Sequence, residues 1–309
     1  MSRRILVTPR SVTRDGHAAS LGKLKAAGYE VIFCSPGVQP SEDELCRLLP
    51  DCVGYLAGVE PVTSRVLAAA TRLKAISRNG TGVDSIDLAA AQARGILVLR
   101  AEGANARGVA ELAFSLILAL SRSLTANDRS LKANGWTRAA GSELEGKTLG
   151  LFGFGRIGRL VARFAHAFDM RVLAHDPYAS ADASGDVQFV DAEEIIKQCD
   201  IISFHCPPPA GGGPILDAGA ISRLKKGVLI INTARAGLID EEALLQTLDD
   251  GRVGGLGLDV FESEPPVDRR LAEHPKVIAT PHIGGFTPES IDRAMHMAVD
   301  NLLEALGKS

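Results

Sequence analysis

The sequence contains no long apolar run and no opening segment typical of export. Its longest apolar stretch, residues 110–120, includes Glu111 and is far shorter than the roughly 20 residues that a bilayer requires. The first ten residues are basic, but their apolar run covers only residues 5–7, which indicates an opening β-strand and not a signal peptide. We therefore expect a cytoplasmic protein without a membrane partner.

Cysteine and net charge are also low. The five cysteines are odd in number and lack the spacing of metal ligands, so they indicate reduced thiols and no metal site. The 34 basic and 37 acidic residues give a net charge of −3, which argues against a broad attraction to nucleic acid or to an anionic membrane. A basic site for an anionic substrate would have to be local.

What the sequence does contain is a regular alternation of short apolar runs with longer amphipathic segments. This pattern predicts βαβ units around parallel sheets. Predicted strands lie at 5–7, 30–33, 54–57, 73–77 and 96–99, and then at 148–152, 171–174, 188–190, 201–205, 228–232, 255–259 and 277–280. Predicted helices include 18–27, 42–49, 64–70, 159–168, one long helix over 105–134 and a final helix over 288–306.

The length of 309 residues suits two domains of roughly 150 residues each. The predicted fold class is α/β, with two Rossmann- or flavodoxin-like, doubly wound parallel-sheet domains. Residues 1–98 with 286–309 are predicted to form a substrate domain, and residues 99–285 a nucleotide-binding domain. Two such units joined by crossing segments leave a cleft, so we expect the active site in that cleft and hinges near residues 99 and 285.

A glycine motif lies between a predicted strand and a predicted helix at Gly153, Gly155 and Gly158. The first glycine permits a tight turn, the second lets backbone N–H groups approach a pyrophosphate, and the third lets helix and strand pack closely. Asp176 ends the next strand, eighteen residues after Gly158. A carboxylate there accepts ribose hydroxyls and repels a 2′-phosphate, so the motif predicts NAD and not NADP. The alternative is an ordinary glycine turn with Asp176 capping a loop.

Three residues in the last quarter of the chain suit hydride transfer at a 2-hydroxy acid. Arg235 can hold a carboxylate through both guanidinium nitrogens. His282 can take the hydroxyl proton, because imidazole titrates near neutral pH. Glu264 can bond the other ring nitrogen and stabilise the imidazolium. Taken singly, each has a structural alternative: a surface ion pair, a solvated loop charge and a turn residue.

These residues resemble the D-2-hydroxyacid dehydrogenase family, and within it the D-3-phosphoglycerate dehydrogenases. The resemblance covers nearly the whole chain. Besides the motifs above, residues 77–87 are similar to the family's substrate loop, residues 105–111 to the start of its interdomain helix, and residues 143–148 to the segment before its nucleotide fold. It implies an NAD-dependent oxidoreductase and a homodimer built around the long helix from Asn105.

The resemblance also implies roles for single residues. Catalytic roles fall on Arg235, Glu264 and His282. Cofactor contacts fall on Thr81, Gly153, Gly155, Arg156, Ile157, Gly158, Asp176, His205, Cys206, Thr233, Ala234, Asp259 and Gly284. Substrate contacts fall on Arg78, Asn79, Gly80, Arg235 and His282.

The chain departs from the family pattern in three places. Ala236 stands where a glycine is usual, and we expect the turn to be less free there. Residues 208–214 form a Pro- and Gly-rich loop without the usual threonines, which removes side-chain donors near the cofactor. Arg100 and Glu102 bring two charges to the expected hinge. We also expect no regulatory domain after residue 309.

The expected substrate is a small anion, because Arg235 would bind its carboxylate. A second positive charge for a phosphate or phosphonate could come from Arg78, with Arg10 and Arg100 as outside candidates. Each of these three arginines could equally be a solvated surface group. A 3-phosphoglycerate-like acid is favoured, and glycerate, glyoxylate, hydroxypyruvate or a phosphonate analogue remain alternatives.

One alternative belongs to a different class of protein. Some relatives of the family are NAD(H)-sensing co-repressors that keep the nucleotide fold and the catalytic-type residues. The sequence has no tail or basic patch for such a partner, which favours the enzyme. A hydrolase or lyase would need a nucleophile or a metal cluster, and the sequence offers neither pattern.

Overall fold

The computed structural model describes residues 3–15, 20–179, 186–209 and 211–307. The chain divides into two compact units: Met1–Asn105 with Thr287–Ser309, and Ala106–Phe286. The second unit is therefore inserted, in sequence, between two parts of the first.

The first unit contains a five-stranded parallel sheet in the order β2-β1-β3-β4-β5. Its strands are β1 Arg4–Val7, β2 Glu30–Phe33, β3 Cys52–Ala57, β4 Ala75–Arg78 and β5 Leu97–Arg100. Its helices are α1 Arg10–Asp15, α2 Leu21–Ala26, α3 Glu42–Leu48, α4 Ser64–Ala69, α5 Leu88–Ala93 and, from the end of the chain, α13 Pro288–Gly307. This strand order is the flavodoxin type of doubly wound sheet.

Helix α13 covers one face of this sheet. Its inward residues Met295, Val299, Leu302 and Leu306 recur at intervals of three and four, which places them on one side of a helix. They are buried in a cluster with side chains of β1 and β3. Full burial of one such side chain contributes about 1.5–3 kcal/mol, so this face anchors the distant end of the chain in the first unit.

The second unit contains a seven-stranded parallel sheet in the order β12-β11-β10-β9-β6-β7-β8. Its strands are β6 Thr148–Phe152, β7 Arg171–His175, β8 Gln188–Phe189, β9 Ile201–Phe204, β10 Val228–Asn232, β11 Val253–Leu258 and β12 Val277–Ala279. Its helices are α6 Ala106–Ser121, α7 Leu124–Lys132, α8 Arg156–His166, α9 Ala192–Gln198, α10 Ala218–Ser222, α11 Glu241–Asp249 and α12 Arg270–Glu273.

Two stacked aromatic rings fix the carboxyl ends of the central strands. Phe152 of β6 and Phe204 of β9 are direct neighbours in the sheet, and their ring centroids lie 5.1 Å apart at an angle of 6°. Both rings are almost completely buried. Because the next residues, Gly153 and His205, leave the sheet from this rigid pair, their backbones start from defined positions.

The two-sheet α/β fold class predicted from the sequence is confirmed. The unit boundaries differ from the predicted domain boundaries by a few residues. Strand β5 pairs with β4 as far as Arg100, so a boundary at residue 98 would cut a strand. The first unit continues to Asn105 and resumes at Thr287. The predicted cleft and hinges stay predictions.

The prediction of one helix over 105–134 is wrong. The chain forms α6 and α7 with a bend of 65° between them, and Ser123 at the break has a φ of 49°, in the left-handed region. The side chain of Asn127 donates to the carbonyl oxygens of Ser123 (3.0 Å) and Ala139 (3.1 Å). These bonds tie α7 to the chain that returns after it, and they replace the continued helix.

Two further observations concern helices. The predicted helix over 18–27 begins at Leu21, and its residues 18 and 19 lie outside the described part of the chain. Among the described residues no single helix combines the length and the apolar composition of a membrane span; α6 and α7 meet those limits only when counted together across their bend.

Candidate active site

The turn after β6 requires glycine at two positions. Gly153 has a φ of 96°, and a methyl group on it would lie 2.6 Å from the carbonyl oxygen of His205. A methyl group on Gly158 would lie 2.3 Å from the carbonyl oxygen of Gly153. Side chains are therefore excluded at both positions by backbone, as the sequence motif predicts for a tight turn and a close helix–strand approach.

Gly155, the second glycine of the motif, has open space around it. No atom lies within 4 Å of the position that a methyl group on Gly155 would take. Gly155 is the N-cap of the eleven-residue helix α8, and no side chain caps this end. Arg156 and Ile157 form the first turn, where unpaired N–H groups and the helix dipole favour a negative charge. This is the part of the turn where a pyrophosphate would fit.

The carboxylate of Asp176 is held beside the glycine turn. Its Oδ2 accepts a hydrogen bond from the backbone N–H of Phe154 (2.8 Å), and its Oδ1 accepts one from that of Tyr178 (2.9 Å). Asp176 follows β7, the strand next to β6 in the sheet. The negative charge predicted to select NAD therefore lies next to the predicted phosphate position.

Two polar atoms near the ends of β9 and β10 lack a partner. Within the described residues, His205 Nδ1 and Thr233 Oγ1 are buried and make no hydrogen bond, while His205 Nε2 lies 2.9 Å from Ser203 Oγ. Burial lowers the pKa of His205 to about 3, so the ring is neutral. Buried polar atoms without a partner are rare in proteins and mark places where a ligand can bind. These atoms fit a polar cofactor.

Cys206 follows His205 and is half-buried. Burial raises the pKa of its thiol to about 11, and the charge of Asp176 adds to this effect. The thiol is therefore protonated at neutral pH and offers a small, neutral surface beside the Asp176 carboxylate. This environment suits the adenosine side of a dinucleotide, and it does not suit a reactive nucleophile.

The backbone around Arg235 is shaped by Asn232, the last residue of β10. The buried Asn232 side chain donates to the carbonyl oxygen of Arg235 (2.8 Å) and accepts from the N–H of Ala234 (3.0 Å). The Arg235 guanidinium donates to the carbonyl oxygen of Ala234 (2.7 Å). Asn232 is not among the residues predicted from the sequence, although an asparagine that ends an apolar strand is a recognisable signal for such a role.

Ala236, the first departure from the family pattern, is accommodated without strain. It begins a single 3-10 turn, Ala236–Leu238, that follows Arg235. It is not among the described residues with a positive φ. The turn therefore has a conformation that alanine adopts without strain.

His282 and Glu264 form a hydrogen-bonded pair, as predicted. His282 Nδ1 lies 2.9 Å from Glu264 Oε1 and 2.7 Å from Oε2. The side chains are 52% and 40% exposed, so the pair is open to a substrate. The N–H of Phe261 also donates to Glu264 Oε1 (3.3 Å). Because Nδ1 faces the carboxylate, Nε2 is the ring nitrogen that can reach a substrate.

Asp259 holds the loop that carries His282. It follows β11 and is 1% exposed. Its Oδ1 accepts from Thr280 Oγ1 (2.6 Å) and from the N–H of Ile283 (2.7 Å), and its Oδ2 accepts from the N–H of Gly284 (2.8 Å). His282 lies between these anchors with a φ of 53°. The structure thus gives Asp259 a positioning contact that the sequence did not indicate.

The predicted substrate loop of the first unit follows β4. The Arg78 guanidinium donates to the carbonyl oxygen of Asn79, and Asn79 Oδ1 is buried without a partner among the described residues. Gly80 has a φ of 148°. The hydroxyl of Thr81 donates to Asn105 Oδ1 (3.1 Å) and to the carbonyl oxygen of Ala101 (3.4 Å), both within the same unit.

The two outside candidates for phosphate binding are exposed. Arg10 begins α1, and Arg100 lies 3.9 Å from the carboxylate of Glu102 at the end of β5. The two charges expected near the hinge therefore pair with each other. Across the described residues, no cluster of three or more His, Cys, Asp and Glu side chains is arranged to hold a metal ion.

Comparisons with known proteins identify the family of this chain. The family described as "D-isomer specific 2-hydroxyacid dehydrogenase, NAD binding domain" matches residues 114–284. The chain belongs to this family. The prediction of an NAD-dependent oxidoreductase of the D-2-hydroxyacid dehydrogenase family is confirmed at this level, and so is NAD as its cofactor.

Individual relatives extend the match. A hydroxypyruvate reductase of Thermotoga maritima is 43% identical over 272 residues, which cover 86% of this chain and 89% of that protein. A D-3-phosphoglycerate dehydrogenase of Mycobacterium tuberculosis is 40% identical over 260 residues, which cover 82% of this chain but 49% of that protein. The chain described here therefore spans about half the length of the Mycobacterium tuberculosis enzyme.

The fold of this family member has a counterpart among crystal structures. The TT0316 protein from Thermus thermophilus superposes with a TM-score of 0.89 at 33% identity, covering 99% of this chain and 97% of that one. The match runs through both α/β units. Both sheets and their connections are thus shared with that structure.

Proposed function

We propose that this dehydrogenase transfers a hydride between C2 of a small anionic D-2-hydroxy acid and NAD. The observation that carries the proposal is the pair of contacts between His282 Nδ1 and the Glu264 carboxylate, 2.9 and 2.7 Å long. NAD, when bound, supplies the hydride acceptor. Every other step belongs to side chains of this chain.

His282 handles the proton. In the oxidation direction Nε2 accepts the proton of the substrate hydroxyl, and the ring becomes an imidazolium. Glu264 stabilises this charge because its carboxylate accepts the Nδ1–H bond. In the reduction direction the imidazolium returns the proton to the oxygen of the 2-oxo acid.

Arg235 binds the substrate carboxylate. A guanidinium presents two parallel N–H donors, which match the two oxygens of a carboxylate and orient C2. Asn232 supports this role, because its bond to the Arg235 carbonyl oxygen fixes the backbone from which the side chain extends. Arg78, Asn79 and Gly80 are proposed to bind the remainder of the substrate.

The cofactor contacts are proposed for the glycine turn and its neighbours. Gly155, Arg156 and Ile157 would hold the pyrophosphate, and Asp176 the adenosine ribose. The unpaired Thr233 Oγ1 and His205 Nδ1 support contacts further along the strand edge. Thr81, Cys206, Ala234, Asp259 and Gly284 complete the proposed set.

For the substrate we favour a 3-phosphoglycerate-like acid, with hydroxypyruvate or glyoxylate as the second candidate. The relatives include enzymes named for phosphoglycerate and for hydroxypyruvate. 3-Phosphoglycerate carries a second anionic group that hydroxypyruvate lacks, and Arg78 is the proposed partner of that group. A phosphonate analogue would use the same charge.

A panel of 2-hydroxy and 2-oxo acids, followed by NADH absorbance, tests this proposal. The favoured assignment predicts turnover of 3-phosphoglycerate, and Arg78→Gln should then raise KM for it at least tenfold while leaving hydroxypyruvate unchanged. If the wild-type protein and Arg78→Gln both preferred hydroxypyruvate, a phosphate-binding role for Arg78 would be contradicted. Tight NADH binding without turnover of any acid would favour a sensor.

His282→Asn tests the proton route directly. It removes the base, so kcat should fall roughly 10²–10⁴-fold. Glu264→Gln keeps a hydrogen bond to the ring and should have a smaller effect. Fluorescence titration with NADH serves as the control, because cofactor affinity should stay within twofold. An active His282→Asn protein would rule out this mechanism.

We also propose that the protein is a homodimer built around α6 and the segment that follows it. The support is exposed apolar surface: Leu124, Leu131 and Trp136 are 55%, 59% and 80% exposed. Sedimentation velocity tests this. The double variant Trp136→Ser, Leu131→Ser should shift the protein toward monomer. A wild-type protein that is monomeric would contradict the proposal.

A further inference from the structure

A pocket of about 550 Å³ opens in the second unit at the amino ends of its central strands. Its walls include Lys147 just before β6, Asp200 just before β9, and Gly227 just before β10. The glycine turn, Arg235 and Asp259 follow the carboxyl ends of strands in the same sheet. Because the strands are parallel, this pocket lies at the sheet edge opposite the proposed active site.

The pocket carries an excess of positive charge. Lys147, Lys225 and Lys226 line it, and Asp200 is the acidic residue among its lining residues. Lys225 Nζ donates to Asp200 Oδ1 (2.6 Å), so one lysine is neutralised. Within the described part of the chain, no carboxylate oxygen lies within 4.0 Å of the Nζ atom of Lys147 or Lys226. Two ammonium groups therefore remain for a ligand.

The hydrogen bonds of Asp200 go to Lys225 and to the backbone, and its charge also acts on Lys147 without a direct ion pair. Its Oδ2 accepts the N–H of Thr148 (2.9 Å) while Oδ1 is bonded to Lys225. Burial acts to raise the pKa of Asp200, but the bonds from Lys225 and Thr148 outweigh it and leave the pKa below its ordinary value. The acid stays ionised and fully engaged at neutral pH.

A second, independent observation comes from Ser121 at the end of α6. This residue lines the pocket, is 4% exposed, and its hydroxyl has no hydrogen-bond partner among the described residues. Its carbonyl oxygen is already bonded to the N–H of Ser142 (2.7 Å). A buried hydroxyl without a partner is destabilising, and a ligand with acceptor oxygens would give it one.

We propose that this pocket binds a small, multiply charged anion that carries phosphate groups. Lysine ammonium groups bind phosphate as point charges, and a buried hydroxyl can donate to a phosphate oxygen. The volume lies within the roughly 300–1,000 Å³ of small-molecule sites. The bound anion would connect the end of α6 and the loop at 140–144 with the first residues of three strands.

The test uses inorganic pyrophosphate as the probe on the full chain, with NADH saturating so that the glycine turn is occupied. Isothermal titration calorimetry and the melting temperature should both show saturable binding at constant ionic strength. Lys147→Gln with Lys226→Gln should weaken binding at least tenfold. Lys132→Gln is the matched control, since Lys132 is exposed on α7 and lies outside the pocket. It should leave binding unchanged.

Two further variants separate this site from the active site. Arg235→Lys should leave pyrophosphate binding unchanged. Loss of pyrophosphate binding in this variant would mean that the anion binds at the active site. Ser121→Ala should weaken binding two- to tenfold. Equal affinity in the double lysine variant, or no saturable binding at millimolar pyrophosphate, would overturn the proposal. These experiments measure binding and not turnover. Their outcome therefore does not depend on which acid the enzyme uses.

Discussion

Asn232 and Asp259 show how buried polar side chains shape a reactive surface without belonging to it. Each follows or ends a strand of the second unit, is 1% exposed, and makes hydrogen bonds to the backbone of a neighbouring loop. One loop carries Arg235 and the other His282. The exposed groups can therefore meet a substrate in a defined orientation, because the residues beneath them are rigid.

Asp259→Asn should damage both stability and activity. An amide can accept on one side only, so it cannot satisfy the N–H groups of Ile283 and Gly284 together with Thr280 Oγ1. We expect a loss of about 1–3 kcal/mol in the free energy of unfolding and a kcat/KM at least tenfold lower. Urea denaturation and initial rates measure the two effects. Unchanged values of both would show that the carboxylate does not hold the loop.

His205 should make the protein less stable in acid. Its pKa is lowered to about 3 by burial, while in the unfolded chain it is near 6.5. Between these values the unfolded state binds the extra proton, so the free energy of unfolding falls as pH falls, by at most about 1.4 kcal/mol per pH unit. His205→Asn should flatten this slope between pH 6.5 and 4, whereas His296→Asn, at an exposed position of α13, should not.

Two glycines of the strand–turn–helix element of β6 and α8 allow effects on folding and on cofactor binding to be measured separately. Gly158→Ala would bring a methyl group to within 2.3 Å of the Gly153 carbonyl oxygen, whereas Gly155→Ala meets no atom within 4 Å. We expect Gly158→Ala to lower the melting temperature and to weaken NADH binding at least tenfold. Gly155→Ala should keep the melting temperature and still weaken NADH binding. A Gly155→Ala protein with normal NADH affinity would contradict the pyrophosphate position.

The elements that the sequence predicted best are the buried parallel strands. The runs at Thr148–Phe152 and Val228–Asn232 are found with their predicted bounds, because an uninterrupted apolar run between turn signals matches a strand buried on both faces. Strand β11 begins at Val253, two residues before the predicted start at 255. Gly254 concealed this start, since glycine is rare in strands.

The sequence could not predict the break between α6 and α7 or the contacts of Asp259. Apolar periodicity continues past Ser121, but the residues of α7, all of them described, are not buried. The break depends on hydrogen bonds between Asn127 and a segment twelve residues away, which no local pattern reports. In the same way, Asp259 and the loop at Ile283 are 24 residues apart in sequence.

At the scale of the whole molecule, the thiols can report the integrity of each unit. Burial raises the pKa of Cys34 and Cys52 in the first unit to about 11, and that of Cys199 in the second to about 12. At pH 8 a pKa of 11 leaves about 100-fold less thiolate than the ordinary value of 9. These thiols should therefore react slowly with a disulfide reagent in the native protein, and all five cysteines should react rapidly in urea. Fast native labelling of Cys199, identified by mass spectrometry, would contradict this burial.

The interrupted order of the first unit has a consequence for how the chain is made. Helix α13 fills the core of that unit beside Ile5 and Val7, yet it is translated only after the whole of Ala106–Phe286. The second unit is one continuous stretch and can acquire its sheet while synthesis proceeds. We therefore expect the first unit to keep one apolar sheet face open to solvent until α13 is made, and to be the more protease-sensitive half during translation.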